Sequence, residues 1–201
     1  MPALYTTLNR IREHGPCING WHKLLKHLGK LAADDDPLPL VTILDSNGLE
    51  DTLWCLRAVI DVEQHAPEMR LYAVWCARQV QHLMTDPRSL EALDVAERHA
   101  RGEATDDELE AARAAAADAA WAAARAAAHA AAHAAAADAA WDAAWDAARA
   151  ARAAAADDAW AAARAAAHAA ARAAAADAAW DAAWDAARDA QTEAFKRRFC
   201  A

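Results

Sequence analysis

Residues 114–152 read AAAADAAWAAARAAAHAAAHAAAADAAWDAAWDAARAAR, and residues 153–191 repeat them as AAAADDAWAAARAAAHAAARAAAADAAWDAAWDAARDAQ, an offset of 39. Asp118, Trp121, Arg125, His129, Asp138, Trp141, Trp145 and Arg149 return as Asp157, Trp160, Arg164, His168, Asp177, Trp180, Trp184 and Arg188. A finer unit lies inside, because AAAAD(A/D)AW begins at 114, 134, 153 and 173. Alanine is the strongest helix former, so the tract is predicted helical throughout. One unbroken helix of that length would span about 120 Å and would turn Trp121 and Trp141 to different sides of its axis. Four antiparallel helices of roughly 18 residues, crossing at each AAAAD with Asp at the N-terminal end, keep the aromatic residues on shared faces. Of the 80 residues 111–190, 54 are alanine, and the six tryptophans are their only large apolar side chains. The indoles are therefore expected to supply most of this core, with a ligand-stacking or partner-binding stripe as the alternative. Within each odd unit, Trp, Arg and His recur four apart and share one broad face.

Outward from the tract, Thr105-x-x-Glu108 is a capping box that opens the first alanine-rich helix. Arg101-Gly102 closes the helix before it, which begins at Asp86-Pro87. Earlier still, Trp21, Leu24, Leu25, Leu28 and Leu31 follow a helical period. The run from Leu38 to Leu44 is read as helix, since no second strand offers itself as a partner. Asp45-Ser46-Asn47-Gly48 is a turn, Leu49, Leu53, Leu56 and Val59 form another helix, and a further one follows Pro67. The predicted fold is all-α, a helical bundle with an alanine-rich antiparallel helical repeat array. It divides into an N-terminal helical region, 1–103, and an alanine-rich region, 104–201, packed together as one unit.

Composition excludes several function classes. No run of 18 strongly apolar residues survives the interrupting Asp, Arg and His, so no membrane span is expected. The stretch MPALYTTLNRIREHG lacks the pattern of a signal peptide. Thirty acids against 21 Lys and Arg give −9, which disfavours direct nucleic-acid binding. Cys17, Cys55, Cys76 and Cys200 form no CxxC pair and read as reduced thiols in a cytoplasmic protein. Cys55 and Cys76 read as small buried hydrophobes.

An organised catalytic set is missing from the sequence, which is read as a non-enzyme without metal or cofactor. His129 and His133 have a chelating i, i+4 spacing, but the repeat replaces the second with Arg172. Asp142, Asp146, Asp181 and Asp185 make carboxylate rows, and Arg149 and Arg188 sit at i+3 to pair with two of them, as on a solvated face. Asp45–Gly48 does not continue into a calcium loop.

The stretch Val74-Trp75-Cys76-Ala77-Arg78, then Leu83, Asp86-Pro87-Arg88-Ser89-Leu90-Glu91-Ala92-Leu93 and Ala96-Glu97-Arg98-His99-Ala100-Arg101-Gly102-Glu103, followed by Ala/Arg/His helices, resembles the Imm-5-like family. Its members are immunity proteins of bacterial polymorphic-toxin systems. The resemblance covers roughly 71–170; segment 1–70 and the 39-residue duplication depart from it. It implies an all-α inhibitor that binds a toxin, and it assigns no active-site residue.

The expected function is thus a non-enzymatic inhibitor, an immunity protein whose partner is a basic toxin or nuclease effector. Asp34, Asp35, Asp36, Glu50 and Asp51 are the candidate partner-binding residues, because the acid excess lies before residue 111. Arg125, His129, Arg164 and His168 form the alternative partner face. Competing readings are a phage or mobile-element inhibitor of a nuclease defence, an anti-CRISPR-like acidic decoy, and an alanine-rich structural or ice-binding protein. The last lacks the regular threonines such a helix carries, since Thr is absent from 106–191. The tract could also be scaffold alone.

Overall fold

A computed structural model describes residues 3–130, 146–147, 149–150, 153, 159–173 and 177–200, without the side chains of 123–130, 159, 173 and 177–179. The fold is an all-α helical bundle with one minimal sheet. It divides into two compact units, Met1–His65 with Thr192–Ala201, and Ala66–Gln191. The change of composition near residue 102 falls inside the second.

The first unit carries α1 (Leu8–Glu13), α2 (Ile18–Leu28), α3 (Leu40–Asn47), α4 (Leu49–Cys55) and a 3-10 turn, Leu56–Ala58. Its two-residue strands, β1 (Tyr5–Thr6) and β2 (Leu38–Pro39), pair antiparallel with Tyr5 opposite Pro39. The helix read from Leu38 therefore starts two residues later, at Leu40. Pro39 favours extended backbone at the residue before it, and the partner strand is too short to leave a sequence period. The chain near β1 is held from several sides. Leu4 N–H donates to Phe199 O (3.1 Å), Ile60 N–H to Tyr5 O (2.9 Å) and the Thr6 hydroxyl to Ala58 O (2.6 Å). Arg10 adds Nε to Ala58 O and Nη2 to Val59 O. Leu8, Ile11, Leu40, Ile43, Phe195 and Phe199 fill the core beneath.

Two glycines end helices here, and the turn read at Asp45–Gly48 narrows to Gly48 alone, because Asp45, Ser46 and Asn47 complete α3. Gly29 is left-handed (φ +65°) and ends α2, and Gly48 (φ +90°) separates α3 from α4. Because α2 stops at Leu28, Leu31 is not on its apolar face and is fully exposed.

In the second unit, α5 (Val62–Arg78) enters from the first and holds Pro67 in its interior, so it starts before the proline rather than after it. Then come a 3-10 turn, Gln81–Leu83, and α6 (Pro87–Ala100), whose N-cap Asp86 accepts from Arg88 N–H at 2.9 Å. Gly102 (φ +75°) follows its end. The capping box forms in both directions, Thr105 Oγ1 accepting from Glu108 N–H (3.2 Å) and Glu108 Oε2 from Thr105 N–H (2.8 Å). It opens α7 (Asp106–Ala130). Arg98 pairs with Glu108, and Arg88 feels Asp118, so α6 and α7 run antiparallel.

The repeat array departs from four equal helices. α7 runs through AAAAD at 114–118 without a break, because tandem alanines hold no turn residue and Asp118 simply faces solvent. The crossing expected at 134 lies outside the described residues, as does most of the one at 153. The fourth is present: α8 (Ala159–Ala173) gives way to α9 (Asp177–Phe199). Gln191 Nε2 donates to Ala163 O (2.8 Å) and Trp184 packs on His168 (4.6 Å), so these two helices are antiparallel.

Alanine, not tryptophan, forms the described core of this array. Ala162, Ala163, Ala166, Ala167 and Ala169 are at most 2% exposed, so α8 is enclosed around most of its circumference. Trp121 is 63% exposed, and Trp160, Trp180 and Trp184 are half-buried. Facing alanines let backbones approach closely and leave no room for an indole, so the large rings move to the rim. Trp141 and Trp145 lie outside the described residues.

Candidate functional site

The five acidic candidates fall into two groups in the first unit, one in the loop before β2 and one in the first turn of α4. Asp34 and Asp36 share Lys30, whose Nζ lies 2.6 and 2.8 Å from their carboxylates. That hydrogen bond holds the Asp34 carboxyl below its usual range, and Lys30 is raised in turn. Asp51 accepts from Asn47 Nδ2 at 2.7 Å, while Asn47 also donates to Gly20 O. A Cβ on Gly20 would come within 2.8 Å of Asp51 Oδ2 and 3.0 Å of Cys17 Sγ, so a larger residue there would displace the Asp51 carboxylate. Asp35 and Glu50 project into solvent. Cys17 is exposed and caps α2, its sulfur accepting from Gly20 N–H, whereas Cys55 and Cys76 are buried. Burial pushes the Cys55 thiol up to about 12.

The alternative face assembles in the second unit. The side chains of Arg125 and His129, and all of His133, lie outside the described residues. In the second copy, Arg164 sits over the Trp160 ring (5.3 Å to the centroid) with its guanidinium toward solvent. One turn on, His168 lies against Trp184, which stacks on Trp180 at 5.6 Å with planes 6° apart. The Nδ1 atom of His168 is buried and has no hydrogen-bond partner among the described residues. Desolvation, with Arg164, Arg172 and Arg149, lowers the His168 pKa against the opposing pull of Asp146, so the ring is neutral at pH 7. Asp146 is not on a solvated face as its spacing implied. It is 4% exposed, with Arg172 Nε at 3.2 Å and Arg149 Nη1 at 3.6 Å.

Two further polar arrays join helices of this unit. Arg70 Nη1 lies 2.6 Å from His99 Nδ1, and His99 Nε2 lies 2.7 Å from Asp106 Oδ1. Since a guanidinium only donates, Nδ1 accepts and Nε2–H donates to Asp106. Arg78 grips Asp94 and Glu97 at 2.8 and 2.6 Å. Between α6 and α7 runs a groove of about 350 Å³ floored by Ala111, Ala112 and Ala115 and edged by Arg88, Glu91, Arg98 and Glu108. Arg88 is held by Asp86 at 2.7 Å and Arg98 by Glu108 at 3.7 Å, so its rim is charge-matched.

Among the described residues no three His, Cys, Asp or Glu side chains are placed to hold a metal ion. No described helix is long and apolar enough to cross a membrane. Sequence reasoning placed Arg164 and His168 on one face but missed Asp146, Arg172, Trp180 and Trp184 as their neighbours. The i+4 ladder Trp160, Arg164, His168, Arg172 carries the signal for one of these; the antiparallel register of α8 and α9 supplies the indoles. No protein-family model, curated protein or solved structure matches the chain.

Proposed function

We propose that the chain is a non-enzymatic binding protein of the immunity class, which blocks a basic protein partner such as a toxin or nuclease effector. The observation that carries this reading is Trp121. It stands 63% exposed on α7, on the other side of the helix from the buried Ala112, Ala116 and Ala119. A packed alanine helix gains no stability from an indole held out in water. Burying it against a partner removes on the order of 150 Å² of apolar surface, a gross gain of roughly 4 kcal/mol before the costs of association. Tryptophan and arginine are the residues enriched at interface hot spots, and α7 and α8 repeat them together. The charge of −9 adds long-range attraction for a basic partner.

Co-expression with the toxic product of the neighbouring reading frame tests the reading. The intact chain is expected to restore growth and to co-purify with that product, and Trp121→Ala to lose both while keeping its helical signal and melting temperature. Failure of the intact chain to rescue or bind, or full rescue by Trp121→Ala, would count against it.

A further inference from the structure

Ile18 and Leu31, the two most exposed of the large apolar side chains described, stand at the two ends of α2, 73% and 101% exposed. The helix between them is amphipathic, but its apolar arc and its packed side do not coincide. Leu24 is buried beside Gly20, whose carbonyl Asn47 of α3 reaches. At about 100° per residue, Leu28, Trp21, Leu25 and Ile18 follow Leu24 round the axis, the first three half-buried and the last in solvent. His22 and Lys26 border this apolar edge, and Lys23 lies beyond them, all exposed. Charge is as uneven as packing. Residues 14–33 hold three lysines and no Asp or Glu, in a chain of net charge −9. Of its 21 Lys and Arg only four are lysine, and three of these are Lys23, Lys26 and Lys30. Lys30 is taken by Asp34 and Asp36, whereas Lys23 and Lys26 make no ion pair among the described residues.

We propose that this edge of α2 docks on an anionic phospholipid surface. A convex edge with aliphatic side chains protruding at both ends suits a fluid acyl layer, whereas a protein partner would need matching holes. The choice of cation points the same way. Lysine is depleted at protein–protein interfaces, where the planar fork of arginine is preferred. Its flexible stem lies along apolar surface while the ammonium reaches a headgroup. The Trp21 ring, half-buried on the same edge, has the apolar body and polar N–H that suit the boundary between acyl chains and water. Acids elsewhere in the chain act weakly here, because physiological salt screens charge beyond about 8 Å. This surface belongs to the first unit and is independent of the inhibitor reading, which rests on Trp121 in the second.

Flotation of the full chain with vesicles tests the proposal, comparing an equal mixture of phosphatidylglycerol and phosphatidylcholine with phosphatidylcholine alone. Binding to the anionic vesicles is expected, weakened by added salt and weaker to the neutral ones. Lys23→Gln with Lys26→Gln should lower the partition roughly thirty-fold, since each lysine near such a surface contributes about five-fold. Ile18→Ser with Leu31→Ser should lower it roughly ten-fold or more by removing the inserted aliphatic groups. All four positions are exposed, so the melting temperature should hold in both variants. Equal binding to both vesicle types, binding to neither, or a partition untouched by either pair of substitutions overturns the proposal. Binding to soluble poly-glutamate but not to vesicles would give the edge to an acidic protein instead. A dimer in solution that Ile18→Ser with Leu31→Ser dissolves would give it to a second copy of the chain, and either result also overturns the proposal.

Discussion

The side-chain amide of Gln191 donates to the backbone carbonyl of Ala163 at 2.8 Å, joining α9 to α8 in a region otherwise closed by methyl groups. Gln191 is 2% exposed, and its own carbonyl accepts from the Tyr72 hydroxyl at 3.1 Å. The first copy of the repeat has Arg152 at this position. The duplication is thus broken where the second copy meets α5.

Gln191→Leu should keep the volume and lose the bond. Leaving a buried polar contact unmade costs about 1–3 kcal/mol, which for a chain of this size lowers the melting temperature by roughly 2–12 °C. Gln191→Arg, which restores the repeat, should cost more, because it buries a charge where a neutral amide fits. Thermal unfolding by circular dichroism checks both. A Gln191→Arg variant as stable as the parent would mean that the site tolerates the repeat unchanged.

His99 should be held as the Nε2–H tautomer, because Arg70 occupies Nδ1 as donor and Asp106 awaits a proton at Nε2. Long-range 15N–1H correlation at neutral pH reads the tautomer directly. Removing one acceptor of the buried Arg70 makes His99→Ala destabilising by about 1–3 kcal/mol, whereas Asp106→Ala, at a solvent-exposed carboxylate, should change the melting temperature little.

Helix ends were legible because their chemistry is local. Asp86-Pro87, Gly102 and the Thr105/Glu108 box each act within a few residues, and each does what its type dictates. The β1–β2 pair was not legible, since Tyr5–Thr6 finds its partner more than thirty positions away and is too short to show a period. The tryptophans were misplaced for a different reason. Apolar area favours burying them, but close alanine packing excludes them, and only the assembled helices reveal which effect prevails. Asp146 shows the same limit: Arg149 is visible at i+3, whereas Arg172 reaches it from another helix.

Acid should lower the stability of the chain over two separate pH ranges. His168 has a lowered folded pKa, so the unfolded chain binds its proton first as pH falls. Its stabilising contribution is complete above the ordinary value of 6.5 and is lost below it, down to the folded pKa. Asp34, Asp86 and Glu108 are held below their ordinary values of 3.8 to 4.5 by Lys30, Arg88 and Thr105 respectively, so their contributions are lost only in stronger acid. Urea unfolding from pH 7.5 to 5 should show a decline that His168→Phe removes. A decline unchanged in that variant would assign the titration to another histidine.

The acidic candidates should divide by what they already hold. Asp35 and Glu50 point into solvent, whereas Asp34 and Asp36 are tied to Lys30 and Asp51 to Asn47. Asp35→Asn with Glu50→Gln should therefore slow association with a basic partner and flatten its salt dependence at unchanged melting temperature, since exposed charges act at long range on encounter. Asp34→Asn with Asp36→Asn removes two acids but releases Lys30, so it should slow association and loosen the loop before β2 as well. Asp51→Asn should act mainly on the junction of α2, α3 and α4, where Asn47 also reaches Gly20 O. Stopped-flow association at two salt concentrations, with melting curves on the same samples, separates these effects. An on-rate untouched at low salt by Asp35→Asn with Glu50→Gln would remove the acidic surface from the encounter and leave the tryptophan and arginine face of the repeat as the docking element.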